Sequence, residues 1–287
     1  MNTEDTVLPP GSRMSEQPRS PLPARWSTKG FEEELSWLGE DVVNAAETAV
    51  LPPGCDDSVW ILHNQYVCPL GVDPGLLAEE DKGPIYLVAP PSEFVRIRWS
   101  EVANIKGVPL RGAFRGLEVP PCFRWDAMVG WDEAGLILPG ADFVYQPMSG
   151  TIGQVELEAL LPLLQSATKT QRVHGIFAAA DRYADDILGV VVGADGIRRR
   201  QIVSFELEAL LPALLEPTLP NHTPEFWWPE DRAWAVWTDW DLLGSKVFGS
   251  KELIETLRRH PDLETLDWFP VRADPQTPLD PVREQRA

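Results

Sequence analysis

The spacing of apolar and polar residues along this chain changes period several times, and each period predicts an element. In FEEELSWLGEDVVNAAETAV (residues 31–50), Leu35, Leu38, Val42 and Ala46 recur at helical spacing. Glu32, Glu33 and Glu34 suit the positive end of that helix, and the LPPG at 51–54 stops it. SVWILHNQYV (58–67) reads as a strand, as do YLVA (86–89) and FVRIRW (94–99). In FVRIRW, Phe94, Arg96 and Arg98 alternate with Val95, Ile97 and Trp99, which predicts one wet and one buried face. SEVANIKG (100–107) follows as a short helix with Ser100 as its cap. Residues 108–153 are rich in Gly, Pro and Trp without a clear period and read as loop-rich, with room for short strands.

The second half is more regular. QVELEALLPLLQSAT and ELEALLPALLEPT predict helices, RVHGIFAAA a strand, and DDILGVVVGADGIRRRQIVSF a hairpin turning at Asp195-Gly196. In that hairpin, Arg198, Arg199 and Arg200 read as a charged, solvated edge strand. AWAVWTDWD predicts a strand with Trp234, Val236, Thr238 and Trp240 on one face and Ala235, Trp237, Asp239 and Asp241 on the other. SKELIETLRRH has every mark of a bounded helix: Ser250 as cap, Leu253, Ile254 and Leu257 as stripe, basic residues at the end, then Pro261. LETLDW supplies a last strand. ELEALLP occurs at 156–162 and again at 206–212, an echo that a duplicated helix-plus-hairpin unit would produce.

These elements predict an α+β fold, with an antiparallel or mixed sheet and helices packed on it. The expected organisation is a disordered Pro-rich leader (1–30), an N-terminal lobe (31–150), a C-terminal lobe (151–270) and a flexible tail (271–287).

Charge narrows the function classes. Lys and Arg number 25 against 44 Asp and Glu, a formal net charge of -19. Phosphate backbones are held by basic residues, so direct nucleic-acid binding is not expected, nor is an anionic membrane surface. The balance suits solubility, a basic protein partner, or a surface that imitates nucleic acid. The three cysteines, Cys55, Cys68 and Cys122, form no C-x-x-C pair, and residues 1–30 carry no continuous apolar core. Together they predict a cytoplasmic chain. No cofactor or metal motif stands out. His63, His174, His222 and His260 show no metal-ligand spacing and read as satisfied structural residues.

The densest chemistry lies in FWWPEDRAWAVWTDWD (226–241), where five of the chain's 12 tryptophans fall. Core packing by aromatics explains such density, and so does a binding surface, because Trp and Arg concentrate at hot spots. Candidate binding residues are Trp227, Trp228, Glu230, Asp231, Arg232, Asp239 and Asp241. Paired carboxylates beside an arginine also suit acid/base work or a divalent ion, so a hydrolase or nucleotide-processing enzyme centred on Asp231, Arg232, Asp239 and Asp241 is the alternative. The leading expectation is a non-enzymatic protein-binding module, immunity- or antitoxin-like in one version.

The same stretch resembles the C-terminal signature of a family of uncharacterised actinobacterial proteins. In that family a W-W-P-x-D-R-x-W segment leads into a strand with two acids, then a Gly-Ser pair and a helix. Trp227, Trp228, Pro229, Asp231, Arg232, Trp234, Asp239, Asp241, Gly249 and Ser250 match it, while Phe248 and Lys246 depart from it. Upstream, WILHN (60–64) and RIRWSEVA (96–103) look like further family segments. The resemblance implies architecture and provenance, with no activity attached.

Overall fold

Strands that alternate between two apolar faces need cover on both sides, and this chain builds that cover from helices and from a second, smaller sheet. The computed structural model describes residues 27–31, 37, 51–71, 94–106, 141–145, 150–177, 190–192, 198–215, 223–238 and 243–267. Its first elements are β1 (Ser27–Phe31), β2 (Asp57–Leu62), β3 (Gln65–Pro69), β4 (Val95–Ile97), α1 (Trp99–Lys106) and β5 (Ala141–Tyr145). Then come α2 (Gln154–Ser166), β6 (Arg172–Ile176), β7 (Val190–Val192), β8 (Arg198–Glu206) and α3 (Leu210–Leu214). The chain continues through β9 (Phe226–Pro229), β10 (Ala235–Trp237), β11 (Gly244–Gly249), α4 (Lys251–Arg259) and β12 (Glu264–Leu266).

The fold is α+β. A nine-stranded sheet runs β1-β8-β6-β9-β10-β11-β2-β12, with β7 also paired to β8, and a three-stranded sheet runs β4-β3-β5. Every pairing described is antiparallel. The expected boundary near residue 150 does not divide the large sheet: β2, from the first expected lobe, lies between β11 and β12 from the second. Nor does the expected leader hold to residue 30, because Ser27, Thr28, Gly30 and Phe31 pair with β8.

One face of the large sheet carries Val59, Ile61, Trp227, Trp234, Val236 and Val247. Against it pack Leu157, Leu160 and Leu164 of α2, Leu210 and Leu214 of α3, and Leu253, Ile254 and Leu257 of α4. These leucines recur every three or four residues, so each helix turns one stripe inward, and each fully buried leucine contributes roughly 1.5–3 kcal/mol. The other face carries Trp60, Leu62, Trp228, Ala235, Trp237 and Phe248, covered in part by Trp99 and Val102 of α1. The alternation predicted from Trp234 is therefore present through Thr238, and β10 is a central strand between β9 and β11.

Several expectations change. SVWILHNQYV is two strands in two different sheets, broken at His63-Asn64 by tertiary bonds discussed below. The W-W-P segment, for which no element is predicted, is strand β9 paired to β6 and β10. Pro229 ends that strand, where a missing N–H is tolerated. β11 was not expected at all. β8 pairs with β1 and β6 over residues 201–206, whereas Arg198, Arg199 and Arg200 pair with Val192, Val191 and Val190 of β7 and with no other described strand. In β4 the alternation is broken at Val95, which is 56% exposed, while Arg96 and Ile97 are both half-buried and Trp99 is buried. Ser100 does not cap α1: the helix starts at Trp99, and Glu101 reaches back to the Arg98 N–H at 2.7 Å. The two ELEALLP copies also differ, the first lying wholly in α2 while the second opens on the last residue of β8 and a 3-10 turn, Leu207–Ala209. YLVA, most of residues 31–50 and the Asp195-Gly196 turn lie outside the described residues.

Candidate functional site

The Trp-rich segment is placed first by its strands. Trp227 and Trp228 are adjacent on β9 and so face opposite sides of the sheet, both buried. Trp227 meets Trp234 edge-on at 5.3 Å, and Trp234 Nε1 donates to Leu164 O of α2 at 2.9 Å. Trp228 lies among His174, Phe226 and Trp37, with ring centroids 5.5–5.9 Å away. Neither indole of the pair offers an open face; both are core.

The turn between β9 and β10 then accounts for the polar candidates. Asp231 accepts from Thr168 Oγ1 and Lys169 N at 2.8 Å and from Ala233 N at 3.2 Å. Its carboxylate therefore clamps the α2–β6 loop to this turn. Against the upward push of partial desolvation, those donors hold the Asp231 carboxyl below its ordinary value. Arg232 adopts φ 57, a left-handed conformation that non-glycine residues seldom take. Its guanidinium lies 4.5 Å over the Trp37 ring, a cation–π contact. Glu230 is exposed, and its backbone N–H donates to Arg172 O at 3.0 Å. Asp239 and Asp241 lie outside the described residues. Asp231 and Arg232 thus have separate duties and do not meet.

A second constellation, which sequence reasoning missed, forms where the chain leaves the large sheet for the small one. His63 N donates to Leu243 O at 2.9 Å, ending β2. One residue later, Asn64 N donates to Glu156 Oε1, and β3 begins. Glu156 is the third residue of α2 and 1% exposed. Its Oε2 lies against Gly153, where an added Cβ would sit at 2.7 Å, so the glycine makes room for the carboxylate. Burial raises the Glu156 carboxyl above its usual range, opposed by the Asn64 bond and the charge of Arg96. Burial and the Glu156 charge together push the neighbouring Tyr66 phenol up to about 12.

The seam continues across the sheet. His63 Nε2 and Ser245 Oγ are 2.9 Å apart, and Thr238 Oγ1 lies 2.5 Å from the same hydroxyl. Trp99 Nε1 donates to His63 O at 2.7 Å. Glu264 of β12 accepts from Trp99 N at 2.7 Å and Ser100 N at 2.8 Å, so a carboxylate occupies the positive end of α1. Arg96 Nη2 donates to Asp262 O at 2.7 Å, and Arg98 Nη2 donates to Pro261 O. Small sheet and α1 are in this way hydrogen-bonded to the rest of the fold, through buried groups at Trp99 and through partly exposed ones at Arg96 and Arg98. The spacing of Asn64, Glu156 and Glu264 in the chain carries no signal of this; a buried glutamate at the third position of a helix is the one hint available.

Other reactive groups are accounted for singly. His174 Nδ1 lies 2.8 Å from Ser204 Oγ across β6 and β8, so His63 and His174 are both satisfied in the core. His260 closes α4. His222 and Cys122 lie outside the described residues. Burial, then Asp56, push the Cys55 thiol up to about 12, which removes its thiolate character. Burial brings the Lys246 amine down to about 8, with its Nζ 5.1 Å from the Phe248 ring centroid. Among the described residues no three His, Cys, Asp or Glu are grouped to hold a metal ion, and no helix is long and apolar enough to cross a membrane.

Compared with models of known protein families, with curated proteins and with solved structures, the chain matches none.

Proposed function

We propose that this chain is a non-enzymatic protein-binding module, cytoplasmic and immunity- or antitoxin-like in manner, whose partner is a basic protein. The observation that carries the reading is the formal net charge of -19. A surplus of carboxylates raises the rate and selectivity of encounter with a basic partner. The geometry of the Trp-rich segment supports it from the other side. Asp231 clamps a loop and Arg232 stacks on Trp37, so the described contacts of these two residues are those of a scaffold. The W-W-P-x-D-R-x-W pattern supports placing the chain with the actinobacterial proteins it resembles, since its residues hold the sheet together.

The test is affinity capture from extract of the source cells, followed by reconstitution with the purified partner. A basic protein that rebinds the purified chain, with affinity falling as salt rises, is the expected result. Failure to reconstitute any partner at physiological salt contradicts the proposal.

A further inference from the structure

The chain passes from the large sheet to the small one at Asn64, and the backbone N–H of that residue is held by the Glu156 carboxyl. Glu156 stands on the third residue of α2 and is 1% exposed. Its second oxygen lies against Gly153, so its own helix encloses it on that side. A single proton on this carboxyl therefore sits at the junction of two sheets and out of reach of water.

The groups around it come from each element that meets there. From the junction, the Asn64 side-chain amide hydrogen-bonds both Glu156 and Tyr66. From β3, Tyr66 offers a half-buried phenol, and its register partner on β5 is Tyr145. From β4, Arg96 is the one opposite charge among the described residues that acts on Glu156. The two form no ion pair, and Arg96 Nη2 donates to Asp262 O at 2.7 Å. At the end of β2, His63 Nε2 is turned to Ser245. On α2 itself, Glu158 is exposed and accepts from Gln154. An ionised Glu156 thus has amide donors and a distant cation in place of the water it loses, whereas a neutral carboxyl loses far less on burial. Opening the junction returns water to the carboxylate.

We propose that the Glu156 proton is a latch on the small sheet: while the carboxyl is neutral the junction at Asn64 stays closed, and as it ionises β3 and β4 open from the large sheet without the rest of the chain unfolding. The sign follows from where the proton is held more tightly. Burial raises the carboxyl in the closed form, so opening releases a proton at any pH between the ordinary glutamate value and the raised one. The latch is independent of the protein-binding reading, which rests on net charge.

Native-state hydrogen exchange of the full chain tests it, followed by NMR over a pH series that starts below about 4.3, with urea varied at each pH and intrinsic exchange rates corrected for. Amides of residues 64–68 are expected to exchange through an opening nearly independent of urea, and those of 244–249 through the urea-dependent global unfolding. The population of the local opening is expected to rise about tenfold per pH unit above that start and to level off at the closed-form value. In Glu156→Gln, which keeps an acceptor for Asn64, the rise is expected to disappear. Exchange of residues 64–68 with the same urea dependence as 244–249 overturns the local opening. A local opening that ignores pH in the wild-type chain overturns the latch without any variant, and a rise that persists in Glu156→Gln overturns it by placing the proton elsewhere.

Discussion

The backbone N–H of Asn64 donates to the carboxylate of Glu156, 92 residues further along the chain. That bond falls where β2 ends and β3 begins, so a side chain on a helix decides where one strand stops and the next sheet starts. Glu156 is fully buried, and its carboxyl is raised by that burial. The folded chain therefore binds this proton more tightly than the unfolded chain does. Stability linked to the group is complete below the unfolded value, about 4.3 for Glu, and is lost as pH rises through the raised folded value. Glu156→Gln keeps a carbonyl acceptor for Asn64 and removes the titration. Urea unfolding at a series of pH values should show wild type losing stability relative to this variant as pH rises through that window. Parallel curves would remove the claim that the burial of Glu156 is felt as pH-dependent stability. Glu156→Ala, which orphans the Asn64 N–H, should cost roughly 1–3 kcal/mol at neutral pH.

Trp234 joins the sheet to α2 through both its ring and its indole N–H. The two contributions separate by substitution. Trp234→Phe keeps an aromatic ring against Trp227 but removes the indole donor, leaving Leu164 O with its 3.2 Å bond from Ala167 N, a loss of roughly 0.5–1.5 kcal/mol. Trp234→Ala also opens a cavity and should lose about 3–5 kcal/mol. Equal losses in the two variants, read from chemical denaturation, would show that the indole hydrogen bond carries the whole effect and the ring none.

Arg232 combines an unfavourable backbone with a favourable side-chain contact. At φ 57 a glycine is the unstrained choice, while the Trp37 contact needs the guanidinium. Arg232→Ala retains the left-handed backbone and loses the contact, so it should destabilise by about 0.5–1 kcal/mol. Arg232→Gly loses the same contact and relieves the backbone, and its thermal midpoint should lie above that of the alanine variant. The reverse order would mean that the turn is not strained.

The parts of this fold that were legible in sequence are those whose signals are local. α4 could be read whole because Ser250, the 253/254/257 stripe and Pro261 are all within one helix, and Ser250 Oγ does accept from Leu253 N at 3.3 Å. The β7–β8 pairing and the two faces of β10 were legible for the same reason. β11 was not: Gly244, Ser245 and Lys246 look like a turn, yet all are buried, because Ser245 meets His63 and Lys246 lies over aromatic rings. β9 is only four residues long and ends on Pro229, too short for a period to show. The break at His63-Asn64 has no Gly or Pro to announce it, since its cause is Glu156. The same holds for the candidate residues. Sequence singled out Asp231 and Arg232 correctly as neighbours of the tryptophans, but their bonds to Thr168, Lys169 and Trp37 are tertiary.

The central claim is that the Trp-rich turn is scaffold and that the acidic surface does the binding. Asp231→Asn tests it most directly, because it removes the charged acceptor at Thr168 and Lys169 without adding bulk. With its carboxyl held below the ordinary value, Asp231 gives stability that is present above the unfolded value, about 3.9, and lost as pH falls through the folded one. At neutral pH the variant should therefore be somewhat less stable than wild type. The decisive measurement is the affinity of this variant for the reconstituted basic partner as a function of salt. The account predicts an affinity within about twofold of wild type, with both proteins weakening at least about tenfold from low to high salt. Binding that vanishes in Asp231→Asn while the variant remains folded, and that in wild type ignores salt, would contradict it.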